Sequence, residues 1–134
     1  MKLTHTPAKT AAGPKDWFTG NVWIDQIITA DDGPKRLQAA SVHFTPGART
    51  AWHRHDGGQV IHVIEGVGRA QSRGGKIQEI RAGDTVAFKP GEWHWHGSAP
   101  GKFMMHIAMQ VVEEGHEAAE WGEHVTEAEY TAKP

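Results

Sequence analysis

A chain of 134 residues with formal charge −2, ten histidines and no cysteine is long enough for one domain with its own core. Lacking cysteine, it has no disulfide framework, no thiolate metal site and no cysteine nucleophile, so any metal must bind through nitrogen and oxygen. Neither a basic stripe nor an acidic tail is present, which argues against nucleic acid and anionic membranes as partners. The stretch MKLTHTPAKTAAGPKDW has no apolar core of a secretion signal, and no later run is as long as a membrane span, so the expectation is a soluble, cytoplasmic protein.

Residues 1–16 are small and polar and are interrupted by Pro7, Gly13 and Pro14. They read as an N-terminal arm, with the folded domain over residues 17–134. Trp17 to Ile28 alternates loosely around Val22, Ile24 and Ile27, which predicts a strand or strand pair, and Asp31 to Pro34 ends it as a turn. Leu37 to Phe44 alternates again, with Ala40, Val42 and Phe44 on one side and Ser41 and His43 on the other. Gln59 to Glu65 is apolar on both faces, as in a central strand between two layers. Gly66-Val67-Gly68 is expected to turn the chain, and Arg73-Gly74-Gly75-Lys76 to make a hairpin between strands around Ala70 and Ile77. Thr85 to Phe88 is another strand, and Phe103 to Val112 the last long one, with Met104, His106, Ala108 and Gln110 sharing a face.

Only the end reads as helical. Thr126 followed three residues later by Glu129 fits a capping box, and Glu120 to Tyr130 has room for one or two turns. Many short strands punctuated by glycine and proline predict an all-β sandwich or small barrel.

The chemistry concentrates in Trp52-His53-Arg54-His55-Asp56-Gly57-Gly58-Gln59. Histidines two apart on a strand face the same way, and the Asp-Gly-Gly turn brings Gln59 back beside them. A third imidazole is available from Trp93-His94-Trp95-His96. Imidazole is the commonest protein ligand for mid-row divalent metals, so these convergent groups predict a metal site. Trp52, Trp93 and Trp95 read as barrel wall, and His5, His62, His116 and His124 as surface or interface residues.

These residues resemble the two sequence signatures of the cupin superfamily, metal-holding jelly-roll β-barrels. Gly47, His53, His55, Gln59 and Gly66 keep every spacing of the first, with glutamine where glutamate is usual. Gly83 and His94 keep their separation in the second, while Pro90-Gly91 stands differently and Ser98 replaces asparagine. A closer resemblance is to bacterial cupins that include manganese-dependent, R-selective hydroxynitrile lyases. It runs through Asp16 to Gly20, Pro46 to His53, Gln59, Pro90 to Glu92, His94 to Gly97 and Glu123 to Thr126.

The resemblance implies a single-domain cupin barrel with a short C-terminal helical segment, and a metal bound by His53, His55, Gln59 and His94. Manganese is the metal expected first and ferrous iron next, with zinc, nickel or cobalt acceptable to the same donors. Three imidazoles and an amide leave the cation's double charge uncancelled, making it a strong Lewis acid. Glutamine cannot be a general base, so proton transfer needs another group. His106, on the parity of Ala108 and Gln110, is the candidate for removing the proton of a cyanohydrin hydroxyl. Ala40, Val42, His96 and Gln110 are expected to line the substrate pocket.

The implied reaction cleaves or forms cyanohydrins from aldehyde and cyanide. A ferrous cupin dioxygenase and a non-catalytic small-molecule-binding cupin are the rival expectations. The face carrying Val60, His62 and Ile64 is expected to pair copies into a homodimer or homotetramer.

Overall fold

The computed structural model describes residues 1–5, 9–32 and 36–134. Pro7 and the Gly33-Pro34 part of the expected turn lie outside the described residues. Among those described there are twelve strands and one helix: β1 (Ala11–Ala12), β2 (Phe18–Thr19), β3 (Val22–Ile28), β4 (Leu37–Phe44), β5 (Arg49–Thr50), β6 (His53–Arg54), β7 (Gln59–Ser72), β8 (Gln78–Arg81), β9 (Thr85–Phe88), β10 (His94–Ser98), β11 (Met104–Val111), β12 (Glu120–Trp121) and α1 (Glu127–Thr131). No described helix is long and apolar enough to cross a membrane.

All pairings are antiparallel and form two sheets that share β7. In the first, β1, β3, β4, β11, the start of β7 and β9 lie side by side. In the second, β8, the end of β7 and β10 are neighbours. Beyond β10 the short strands β5 and β6 follow one another, each covered by a further short strand, β2 and β12.

The expected turn at Gly66-Val67-Gly68 is absent, because β7 runs unbroken from Gln59 to Ser72. Gly66 has φ 83°, and a Cβ there would stand 2.0 Å from the Phe103 carbonyl oxygen. Glycine therefore lets the strand bend from one sheet into the other while its ladder continues. The register between β11 and β7 also shifts between Met105 and His106. That bulge adds curvature beside the residue of greatest interest on β11.

The sheets enclose a core of Phe18, Val22, Val42, Phe44, Ile61, Val63, Ala70, Phe88 and Met104 among others. Ile61 and Val63 are fully buried, whereas Ile64 is 44% exposed. β7 thus has one covered face, in contrast to the expected strand between two layers; its apolar outer residues lie on the outside of the barrel. On β3 the inward series is Val22, Ile24 and Gln26, so Ile27 falls on the opposite face by alternation and is 53% exposed; the pairing with β4 is irregular between Gln26 and Ile28.

A second cluster, of Trp52, Ile77, Trp95, Val125 and Tyr130 with Trp93 against it, seals the outside of the second sheet beneath the C-terminal segment. The three tryptophans expected in the wall stand there. Arg49, 5% exposed, donates to the Val125 carbonyl at 3.0 and 3.2 Å. Its guanidinium carbon lies 4.4 Å from the Tyr130 ring centroid, and the Tyr130 hydroxyl donates to Ser98 O at 3.0 Å. The capping box forms: Thr126 Oγ1 accepts from Glu129 N at 3.2 Å, and the Glu129 carboxylate accepts from Thr126 N at 2.7 Å. Helix is limited to Glu127–Thr131, and Glu120–Trp121, expected at the start of helical turns, is a strand laid against His53 and Arg54.

Candidate metal centre

β6 and β10 place His53 opposite His94 in register. The Asp56-Gly57 turn then carries the chain back into β7, where Gln59 is the first residue. Gly58 makes this return with φ 78°, where a Cβ would come 2.7 Å from Phe88 O. A side chain at that position would both strain the backbone and push Gln59 away from the histidines. His53, His55, Gln59 and His94 are all buried.

Hydrogen bonds prepare three of the imidazoles as ligands. The Nδ1 atoms of His53, His55 and His94 face the carbonyl oxygens of Ala51 at 3.0 Å, Ala118 at 2.6 Å and Glu92 at 2.7 Å. A carbonyl only accepts, so each Nδ1 carries its proton and each Nε2 keeps its lone pair, the arrangement that orients histidines on metals. His55 Nε2 is buried with no hydrogen-bond partner among the described residues. His94 Nε2 lies 3.1 Å from Gln59 Oε1. With both atoms acceptors, no hydrogen lies between them to bridge that gap, and about 3 Å is the spacing of adjacent donors on a six-coordinate ion with bonds of about 2.1 Å. The donor set therefore fits a divalent cation.

His96 also comes close: ring nitrogens of His53, His94 and His96 lie within 4.8 Å of one another. Its bonding differs. His96 Nε2 is 3.2 Å from Gln59 Oε1 and its Nδ1 is 3.0 Å from His106 Nε2. Since the amide oxygen accepts, His96 donates from Nε2 and accepts at Nδ1 from His106 Nε2–H. This leaves His106 Nδ1 buried and without a partner among the described residues. His96 is thus the link between Gln59 and His106, with no backbone carbonyl preparing it as a ligand.

Burial holds His53 and His96 well below the ordinary imidazole pKa, lowers His55, and brings His94 to about 4 and His106 to about 3. The cause is removal of the cationic form from water, reinforced for His53, His94 and His96 by neighbouring imidazoles. All five are neutral at pH 7.

The group opens into a cavity of about 380 Å3. Ala40, Val42, His96, His106 and Gln110, all expected there, line it together with Ile24, Phe18 and Ala108. Sequence reading missed four contributors. Trp121 stacks on His53 at 4.7 Å between centroids and on Trp17 at 5.0 Å, with planes 3° apart in the second pair. Ala118 supplies the His55 carbonyl. Thr50 Oγ1 accepts from His96 N at 3.2 Å, and Gln38 also lines the cavity. Only Gln38 had a signal, sharing the parity of Ala40 and Val42 on β4. His5, His116 and His124 are exposed, while His62 is half-buried and bonds Thr85 Oγ1 at 2.8 Å.

Imidazoles and one amide converging between the sheets of a curled, all-β barrel define a cupin-type fold whose donor set fits a divalent metal. The chain belongs to the cupin family: the cupin domain model matches residues 40–110. It is 52% identical over 118 residues, 88% of each sequence, to (R)-mandelonitrile lyase of Granulicella tundricola. Among solved structures it resembles a cupin-like protein from Thermotoga maritima, with TM-score 0.84 and 42% identity over 90% of both chains. A polyketide cyclase of Streptomyces resistomycificus, 20% identical with TM-score 0.70 over 97% of this chain and 91% of that one, shares the fold alone.

Proposed function

We propose that this protein is a metal-dependent hydroxynitrile lyase that cleaves or forms R-cyanohydrins such as mandelonitrile, using manganese held by His53, His55, Gln59 and His94. The observation that carries the reading is the junction of two structures at one end of the cavity: a neutral ligand set and, 3.2 Å from its amide oxygen, the His96–His106 pair. The 52% identity to a mandelonitrile lyase supports the same activity. When bound, the cation supplies Lewis acidity that raises the acidity of a hydroxyl or polarises a carbonyl.

The protein's own groups do the rest. Ile24, Ala40, Val42 and Ala108 give an apolar wall whose small members leave room for an aryl ring, directing the polar end of the substrate toward the histidines. Trp121 and Trp17 close the rim and limit water. A substrate hydroxyl donating to His96 Nε2 requires the opposite tautomer of the pair, with His96 Nδ1–H donating to His106 Nε2. In cleavage the hydroxyl proton then passes to His96 Nε2 while the Nδ1 proton moves across 3.0 Å to His106 Nε2, leaving His106 as the imidazolium. The carbon–oxygen double bond forms as the carbon–carbon bond breaks, and cyanide leaves with the electron pair. His106 thus holds the proton through His96. This refines its expected role as a base in direct contact with the hydroxyl, since Nε2 of His106 is already engaged by His96. In synthesis the pair runs in reverse, with His96 Nε2–H protonating the new alkoxide.

Assembly is part of the proposal. The outer face of the first sheet presents Trp23, Ile27 and Ile64 at 47%, 53% and 44% exposure, which supports pairing of copies into a homodimer or homotetramer. The test of function is cyanide and benzaldehyde release from R-mandelonitrile by manganese-loaded protein. Release at the rate of a metal-free control would reject the lyase reading, and oxygen uptake by the iron-loaded protein would favour a dioxygenase.

A further inference from the structure

Gln59 differs from the other members of the ligand set in one respect. A glutamine amide has an oxygen and a nitrogen in nearly equivalent places, and only the oxygen binds a cation. The wrong rotamer would aim two N–H bonds at the metal. Some other group must choose between them.

Three amides stand in a row across one end of the first sheet. Gln110 of β11 is opposite Gln38 of β4 in register, and Gln59 begins β7 beside the same end of β11. Gln59 Nε2 donates to Gln110 Oε1 at 3.2 Å, and Gln110 Nε2 donates to Gln38 Oε1 at 2.8 Å. Every amide has its oxygen toward the histidines and its nitrogen away. Flipping Gln110 alone would set nitrogen against nitrogen at one junction and oxygen against oxygen at the other, so the row keeps a common sense. At its inner end, His96 Nε2–H finds an acceptor only if Gln59 presents oxygen.

We propose that Gln110 and Gln38 are positioning residues that hold the Gln59 amide with its oxygen toward the metal. The inference rests on the ligand assignment made above. A second effect follows from the same row. An amide whose N–H is engaged by a carbonyl is polarised, so the two donations leave more negative charge on Gln59 Oε1 than an isolated amide would carry. The row therefore strengthens a neutral ligand without adding net charge. Gln110 acts on the metal through Gln59, beyond lining the pocket.

The test is titration of cobalt(II) into metal-stripped protein, followed by its visible d–d absorption, for the wild type, Gln110→Met, Gln110→Glu and Gln38→Met. Methionine keeps length and loses the acceptor; glutamate keeps an acceptor for Gln59 Nε2–H. Gln110→Met is expected to bind about 10- to 100-fold more weakly, the usual loss on removing an outer partner of a ligand. Its saturated spectrum should also differ from that of the wild type, because the amide oxygen has turned away. Gln110→Glu should keep the wild-type spectrum, which separates orientation from the attraction of added charge. Gln38→Met should lose affinity in the same direction by less. Wild-type affinity and spectrum in Gln110→Met would overturn the proposal, as would a Gln110→Glu spectrum matching that of Gln110→Met. If Gln110→Met fails to fold, Gln38→Met decides, and wild-type affinity there overturns it. A wild type that takes up no cobalt would refute the ligand assignment itself.

Discussion

Acidification to pH 5 should destabilise the metal-free protein before most of its carboxylates are protonated. His53, His55, His94, His96 and His106 are buried and have lowered pKa values. A histidine with a folded pKa below its unfolded value of about 6.5 binds protons more readily in the unfolded chain. Its contribution to stability is intact above pH 6.5 and is lost as the pH falls toward the folded pKa. For His94, lowered to about 4, and His106, lowered to about 3, that window reaches well below pH 5. At pH 5 each has lost about 1.5 pH units at about 1.4 kcal/mol per unit, so the two together cost about 4 kcal/mol. His53, His55 and His96 act in the same direction. Against a typical total of about 5–15 kcal/mol, the loss is large.

The assay is urea denaturation of chelator-treated protein at pH 7 and pH 5, followed by tryptophan fluorescence. The midpoint should fall steeply, and His106→Gln, which no longer titrates, should reduce the pH-dependent loss by about 2 kcal/mol. Equal stability at the two pH values would show that these imidazoles are not buried as neutral groups, and would remove the basis for treating the His96–His106 pair as a base.

His106→Ala should keep its metal and lose roughly 100-fold or more in turnover of mandelonitrile, the scale of a missing general base. A fully metallated variant with wild-type turnover would send the proton elsewhere. His53→Ala should lose the metal by elemental analysis, and unchanged content would reject the site. Ile64→Glu should weaken self-association in light scattering without changing metal content; a wild type that is monomeric at micromolar concentration would contradict the proposed assembly.

What the sequence made legible was local. The hairpin at Arg73 to Lys76, the strand Thr85–Phe88 and the inward parity of Ala40, Val42, His106 and Gln110 followed from period-two alternation and turn chemistry, and the structure has each. Alternation fails where the strand itself is irregular. Gly66 bends β7 without ending it, and the pairing of β3 with β4 shifts between Gln26 and Ile28. Neither event is written in residue type alone, because glycine serves a turn and a barrel corner equally well.

The same division runs through the site. His53, His55 and Gln59 were readable because one strand and one turn bring them together, and His94 followed from the family's second signature. The contributions of the C-terminal segment were not, since Ala118 offers only a backbone carbonyl and Trp121 sits in an acidic stretch without periodicity. Their places depend on Arg49 gripping Val125 O and on Tyr130 bonding Ser98 O, contacts that span 76 and 32 residues. Those long-range bonds carry Ala118 to His55 and lay Trp121 over His53. The segment that looks least like a catalytic element in the sequence thus determines which nitrogen of His55 is free. Loosening it should disturb the ligand set before it disturbs the barrel.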